Sequence, residues 1–174
     1  ILKPTKQLQD KLFAELKGRI KESDESVPYK SNGYFYYNRF ETGKEYPIFC
    51  RKKESLDAPE EVMLDVNTLA EGYSYFQVGG LNVSPDNKLL AYGVDTVSRR
   101  KYTIYVKNLE TGELLTESIP NTEGYSVWAN DNKTMYYVKK DEVTLRSYQI
   151  HRHELGQPND YLVYQENDET FSVF

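Results

Sequence analysis

Apolar residues recur at helical spacing near the start of the chain and in short or alternating runs everywhere after it. Leu8, Leu12, Phe13, Leu16 and Ile20 fall on one face of a helix. Pro4 and Thr5 supply the start signals, with Thr5 as N-cap, and Gly18 ends the helix. Such a stripe needs a cover. Either the domain that follows or a partner outside these residues supplies it. Residues 21–30 read as a polar connector, after which the period changes to that of strands.

The strand pattern begins with the aromatic run 34–38, turns at Glu41-Thr42-Gly43-Lys44, and returns over 46–51. A third strand covers residues 60–65, and residues 67–71 read as a helical turn or loop. Two similar units then follow at an offset of about 45 residues. Ser84-Pro85-Asp86-Asn87-Lys88 precedes a strand over 89–95, and Ala129-Asn130-Asp131-Asn132-Lys133 precedes one over 134–141. Each continues into another strand (102–108 and 146–153) and then a glycine turn at Gly112 or Gly156. Proline fixes φ in the first of these turns, while Asp and Asn accept local backbone hydrogen bonds and tolerate the left-handed region. Several short strands per repeat of this length are the signature of a propeller blade. The expected fold is mainly β, a partial propeller of two to three blades with an N-terminal helix. The alternating run 170–174 reads as the first strand of a further blade.

Composition adds to this picture in one respect. The chain holds 16 Tyr, a residue that favours half-buried pleated surfaces. Its net charge of -5 gives no basic footprint for nucleic acid. No apolar run reaches the roughly 20 residues that would cross a bilayer as a helix. Cys50 is the single cysteine, so an internal disulfide is excluded. The first residue is Ile1 rather than Met, and the strand-like end at Phe174 has no turn after it. The chain is therefore expected to be a piece of a longer polypeptide.

Candidate chemistry is sparse. Gly72-Tyr73-Ser74 and Gly124-Tyr125-Ser126 begin like a nucleophile elbow but lack the second glycine that the sharp strand-to-helix turn requires. His151 and His153 share one face of a strand and could meet a metal, but no spaced third ligand accompanies them. The alternative is a solvated outer strand. Cys50 reads as a packed residue, and Trp128 with the tyrosine clusters as blade packing rather than a base-stacking platform. Asp65, Asp95, Glu123 and Asp141 sit near strand ends, where turn chemistry competes with a role at a propeller mouth.

Several segments, taken in order along nearly the whole chain, resemble the prolyl oligopeptidase family of serine peptidases, its oligopeptidase B (protease II) branch most closely. They are residues 18–28, 33–37, 61–67, 81–92, Asp95-Thr96-Val97-Ser98-Arg99-Arg100, 107–115, 152–156 and 168–171. The resemblance implies an N-terminal helical segment (residues 1–22) that packs on a catalytic domain. Residues 23–174 would then be part of a seven-bladed propeller, followed by an α/β-hydrolase domain. It implies cleavage of short peptides after Arg or Lys, with the propeller restricting access. The Ser, Asp and His of catalysis would lie beyond Phe174, leaving no catalytic, cofactor or metal residue here. The implied partners are short basic peptides and the C-terminal hydrolase domain, with no nucleic acid, membrane or cofactor. The implied location is the cytoplasm, with the periplasm left open. Uncovered blade faces and strand edges predict pairing between copies. The competing expectation is a self-contained β-rich module that binds a peptide or sugar without catalysis.

Overall fold

The computed structural model describes residues 5–174, and Pro4 lies outside them. Helix α1 spans Lys6–Gly18 with Thr5 at the N-cap position. The Thr5 hydroxyl does not cap the helix; it accepts a hydrogen bond from Gln9 Nε2 at 2.8 Å. Gly18 is the last helical residue, and Arg19 follows in the right-handed region. The helix therefore ends without the left-handed glycine that often closes one. Its predicted apolar stripe is uncovered: Phe13 is 70% exposed and even Leu12 is 47% exposed.

The chain divides into two compact units, Ile1–Asn67 and Thr68–Phe174. The first carries a four-stranded antiparallel sheet in sequential order: β1 (Tyr29–Ser31), β2 (Tyr34–Arg39), β3 (Ile48–Lys53) and β4 (Glu60–Asp65). Strand β1 takes up the last two residues of the expected connector together with Ser31. It exists because Asn32 and Gly33 adopt φ of 44° and 80°, the geometry of a tight hairpin whose twist matches its strands. Tyr37, Ile48 and Cys50 form the core. Beside them Glu60 takes the Tyr37 hydroxyl at 2.5 Å and the Arg39 guanidinium at 3.0 Å.

Cys50 is fully buried, and burial, then the nearby charge of Glu60, push its thiol up to about 12. The thiolate is the reactive species. Iodoacetamide at pH 8 is therefore expected to leave Cys50 unmodified in the native chain and to label it fully in urea. Mass spectrometry reads the difference, and native labelling at the denatured rate would contradict this packing.

After the short helix α2 (Val66–Leu69), which spans the boundary between the units, the second unit carries a seven-stranded antiparallel sheet. Its strands are β5 (Gln77–Val83), β6 (Leu89–Asp95), β7 (Tyr102–Asn108), β8 (Leu114–Trp128), β9 (Thr134–Lys140), β10 (Ser147–Glu154) and β11 (Tyr161–Gln165). Strand β8 is 15 residues long and serves two ladders. Up to Thr122 it pairs with β7; from Thr122 onward it pairs with β9. The sheet is thus two four-stranded blades that share one strand. The repeat of about 45 residues is visible in the bounds, since β6 maps onto β9 and β5 onto the second half of β8. With the sheet of the first unit, the chain holds three blades of a partial propeller.

Side chains between the two blades make the main core, including Ile104, Val106, Ile119, Trp128 and Met135. Trp128 Nε1 donates to Asn82 O at 3.0 Å, and Asn82 Nδ2 donates to Ser126 O at 2.8 Å. The innermost strands touch backbone to backbone at Gly80, Gly93 and Gly124. A Cβ on Gly80 would lie 1.9 Å from Gly124 O, and one on Gly93 would lie 2.5 Å from Gly124 Cα.

The repeated turns are alike in mechanism. Asn87 and Asn132 take φ of 64° and 60°. Asp131 accepts the Thr134 hydroxyl at 2.7 Å and the Thr134 N–H at 2.8 Å. Led by the Thr134 hydroxyl, these bonds hold its carboxyl down at about 2. The stabilisation from this turn is therefore present above the ordinary aspartate range and lost as pH falls through about 2. Carbon-detected NMR titration is expected to find Asp131 ionised at pH 3, and Thr134→Val to return it towards the ordinary value.

Residues 170–174 form no strand. Arg146 holds this end instead, donating to Phe171 O at 2.8 Å and Asp168 O at 3.2 Å, while Val173 N–H reaches Ser147 O at 3.0 Å.

Candidate functional site

The connections β6–β7 and β9–β10 and the midpoint of β8 lie along one rim of the second unit, because Asp95 pairs with Gln77, Tyr102 with Thr122, and Ser147 with Lys140. This rim carries a buried polar network. Asp95 is fully buried and accepts three backbone N–H groups: Val97 at 2.8 Å, Arg99 at 3.0 Å and Arg100 at 2.7 Å. These bonds strap the loop into a shape in which Ser98 and Arg100 have φ of 58° and 54°, left-handed values that non-glycine residues rarely adopt. From the next blade, Lys140 Nζ donates to Arg100 O at 3.2 Å and pairs with Glu123 at 3.1 Å. The Ser147 hydroxyl also donates to Glu123. Lys140 is 5% exposed, and these partners satisfy its buried ammonium group. Thr122 donates to Tyr102 O and accepts the Gly124 N–H, pinning β8 where it changes ladders. Burial, and then the charge of Asp95, raise the Tyr102 phenol above its usual range.

The loop therefore presents Arg99 and Arg100 outward on a fixed backbone, and both side chains are exposed. Asp95 and Glu123 thus serve the fold rather than meet a ligand directly. Asp65 and Asp141 do the same: Asp65 accepts the Asn67 N–H at 2.9 Å, and Asp141 accepts the Val143 and Thr144 N–H groups at 2.9 and 2.7 Å.

A groove of about 610 Å³ runs between β8, β9 and β10, lined among others by Ile119, Tyr137, His151, His153 and Asp160. His153 is buried rather than solvated, its ring turned towards the Asp160 carboxylate. The Asp160 carboxylate accepts the His153 Nδ1–H at 2.6 Å and the Tyr137 hydroxyl at 2.5 Å. His151 stacks on Tyr137 with ring centroids 5.4 Å apart. Burial, then Lys139, lower its pKa, favouring the neutral ring. His153 Nε2 and His151 Nδ1 are buried without a hydrogen-bond partner. Neighbouring protein atoms close both nitrogens off. Among the described residues, no three His, Cys, Asp or Glu come together as a metal site. The His153–Asp160 pair has the form of a base with its orienting carboxylate, but it has no activated nucleophile. The hydroxyl beside it is the Tyr137 phenol, pushed up by burial and then by its bond to Asp160.

The two serines with partial elbow motifs lie elsewhere. Ser74 is in the turn before β5, and Ser126 is in the interior of β8 with its hydroxyl buried and unpartnered. Neither stands on a strand-to-helix turn.

Comparison with known proteins places this geometry. Residues 1–174 match the family described as "Prolyl oligopeptidase, N-terminal beta-propeller domain". Dipeptidyl aminopeptidase BI of Pseudoxanthomonas mexicana is 46% identical over 98% of this chain and 26% of its own length. Protease 2 of Moraxella lacunata is 35% identical over all of this chain and 26% of its own length. The structure of oligopeptidase B from Leishmania major superposes with a TM-score of 0.90 at 35% identity, covering 97% of this chain and 24% of that one. The chain thus spans about a quarter of the length of the relatives it matches. The family match and the 46% identity show that the chain belongs to the prolyl oligopeptidase family, as part of its N-terminal β-propeller domain.

Proposed function

We propose that this chain is part of the access-restricting propeller of a serine peptidase that cleaves short peptides after Arg or Lys. In this reading its partners are basic peptides and a C-terminal α/β-hydrolase domain of the same polypeptide, which carries the Ser, Asp and His. The match to oligopeptidase B at a TM-score of 0.90 is the observation that carries it. The uncovered stripe on α1 supports a further domain as its cover. A second reading, removal of dipeptides from peptide N-termini, is favoured by the 46% identity to dipeptidyl aminopeptidase BI.

The two are separated by assaying the full-length polypeptide on Arg and Lys amides with blocked and with free N-termini. Cleavage of blocked substrates after Arg or Lys supports the first reading. A strict need for a free amine two residues before the cut supports the second. Residues 1–174 alone are expected to hydrolyse neither, and turnover that persists through stringent purification would overturn both.

A further inference from the structure

The arginines of this chain are almost all engaged. Arg19 pairs with Glu15, Arg39 with Glu41 and Glu60, and Arg51 with Glu61. Arg146 caps three carbonyls, and Arg152 lies over the Tyr161 ring. Arg99 and Arg100 are the exceptions: among the described residues, neither guanidinium meets a carboxylate, carbonyl or ring. They are also adjacent, and they stand on a loop strapped from two blades of the second unit. A fully buried carboxylate fixes three of its N–H groups, a buried lysine from the next blade holds the Arg100 carbonyl, and two of its residues are kept at left-handed φ. Backbone strain held this firmly is a mark of a binding element. Here it keeps two side chains aimed at solvent that a relaxed loop would let wander.

We propose that Arg99 and Arg100 form a binding site for a peptide carboxylate. The guanidinium fork matches a carboxylate in two parallel hydrogen bonds. A long polyanion fits poorly. The basic run is short (Arg99, Arg100, Lys101), and the same rim carries Asp141, Glu142, Glu166, Asp168 and Glu169, which repel extended negative charge. A single carboxylate, such as the C-terminus of a short peptide, meets the arginines without reaching those residues. The peptidase reading supplies only the class of ligand. Binding is measured without turnover, so the two fail separately.

The test titrates the chain, by amide NMR, with three probes: acetyl-trialanine as free acid, the same peptide as C-terminal amide, and amidated acetyl-Ala-Glu-Ala. The free acid is expected to shift the Arg99 and Arg100 resonances and to bind about tenfold more tightly than its amide. That preference should weaken with salt, as for any exposed pair. Arg99→Gln with Arg100→Gln is expected to remove the preference without changing the melt, because both side chains are exposed. Arg99→Lys with Arg100→Lys keeps the charge but loses the fork, and should retain only part of the preference. If the amidated Glu peptide binds as well as the free acid, the site is upheld and side-chain carboxylates become its source. Equal binding of free acid and both amides, or binding unchanged in the Gln variant, overturns the proposal.

Discussion

Alanine at Gly80 is expected to lower the melting midpoint by roughly 6–12 °C, from a loss of about 3 kcal/mol. Two costs act together. The residue sits at φ +62°, where a side chain is strained, and its Cβ would fall 1.9 Å from Gly124 O, a backbone atom that no rotamer change can move. Gly93→Ala separates the two effects. Its φ is ordinary for a strand, yet its Cβ would lie 2.5 Å from Gly124 Cα. It is expected to lose most of the same stability. Gly112→Ala serves as the control. It carries a φ of +79° in open space, so it should cost only about 1 kcal/mol. Thermal melts of the three variants decide the matter. If Gly93→Ala melts alongside Gly112→Ala, the inner strands are not in rigid contact.

Replacing Asp95 by alanine is expected to cost about 3 kcal/mol, because three N–H groups lose an acceptor that the enclosing strands keep away from water. Locally the effect is larger than one hydrogen bond suggests. Without the strap, Ser98 and Arg100 leave the left-handed region and Arg100 O moves away from Lys140. Hydrogen exchange at the Val97, Arg99 and Arg100 amides should accelerate by about 100-fold, while exchange in the middle of β6 changes no more than global stability requires. Asp95→Asn retains one oxygen acceptor and is expected to fall between. Unaltered exchange at those three amides would falsify the role given to the carboxylate.

The repeat was legible because its punctuation is chemical. Ser84-Pro85-Asp86-Asn87 and Ala129-Asn130-Asp131-Asn132 name their own turns, and the strands after them are apolar enough to stand out. The outer strands were not legible. Strand β11 is exposed along all five residues, and the first half of β8 alternates exposed Leu114, Thr116 and Ser118 with Leu115, Glu117 and Ile119 on the other face, so neither shows a buried run. Residues 170–174 carried a better alternating pattern than β11, yet Arg146 holds them as a loop by binding the Phe171 carbonyl. A period-2 pattern does not say whether a partner strand is available to it. At the rim, Asp95 was visible as an acidic residue near a strand end. Its burial and the two unpaired arginines it orients were not visible, because both depend on Lys140 arriving from about 40 residues away.

Strand β8 also decides where this assembly can yield. The blades on either side of Thr122 are stitched by one continuous backbone, with glycine contacts beneath it that leave no slack. Prising them apart would peel β8 from one of its ladders and expose a run of unpaired amides and carbonyls, a cost that local breathing does not reach. This seam is therefore no sluice. The two blades that share β8 are therefore expected to move together as one leaf.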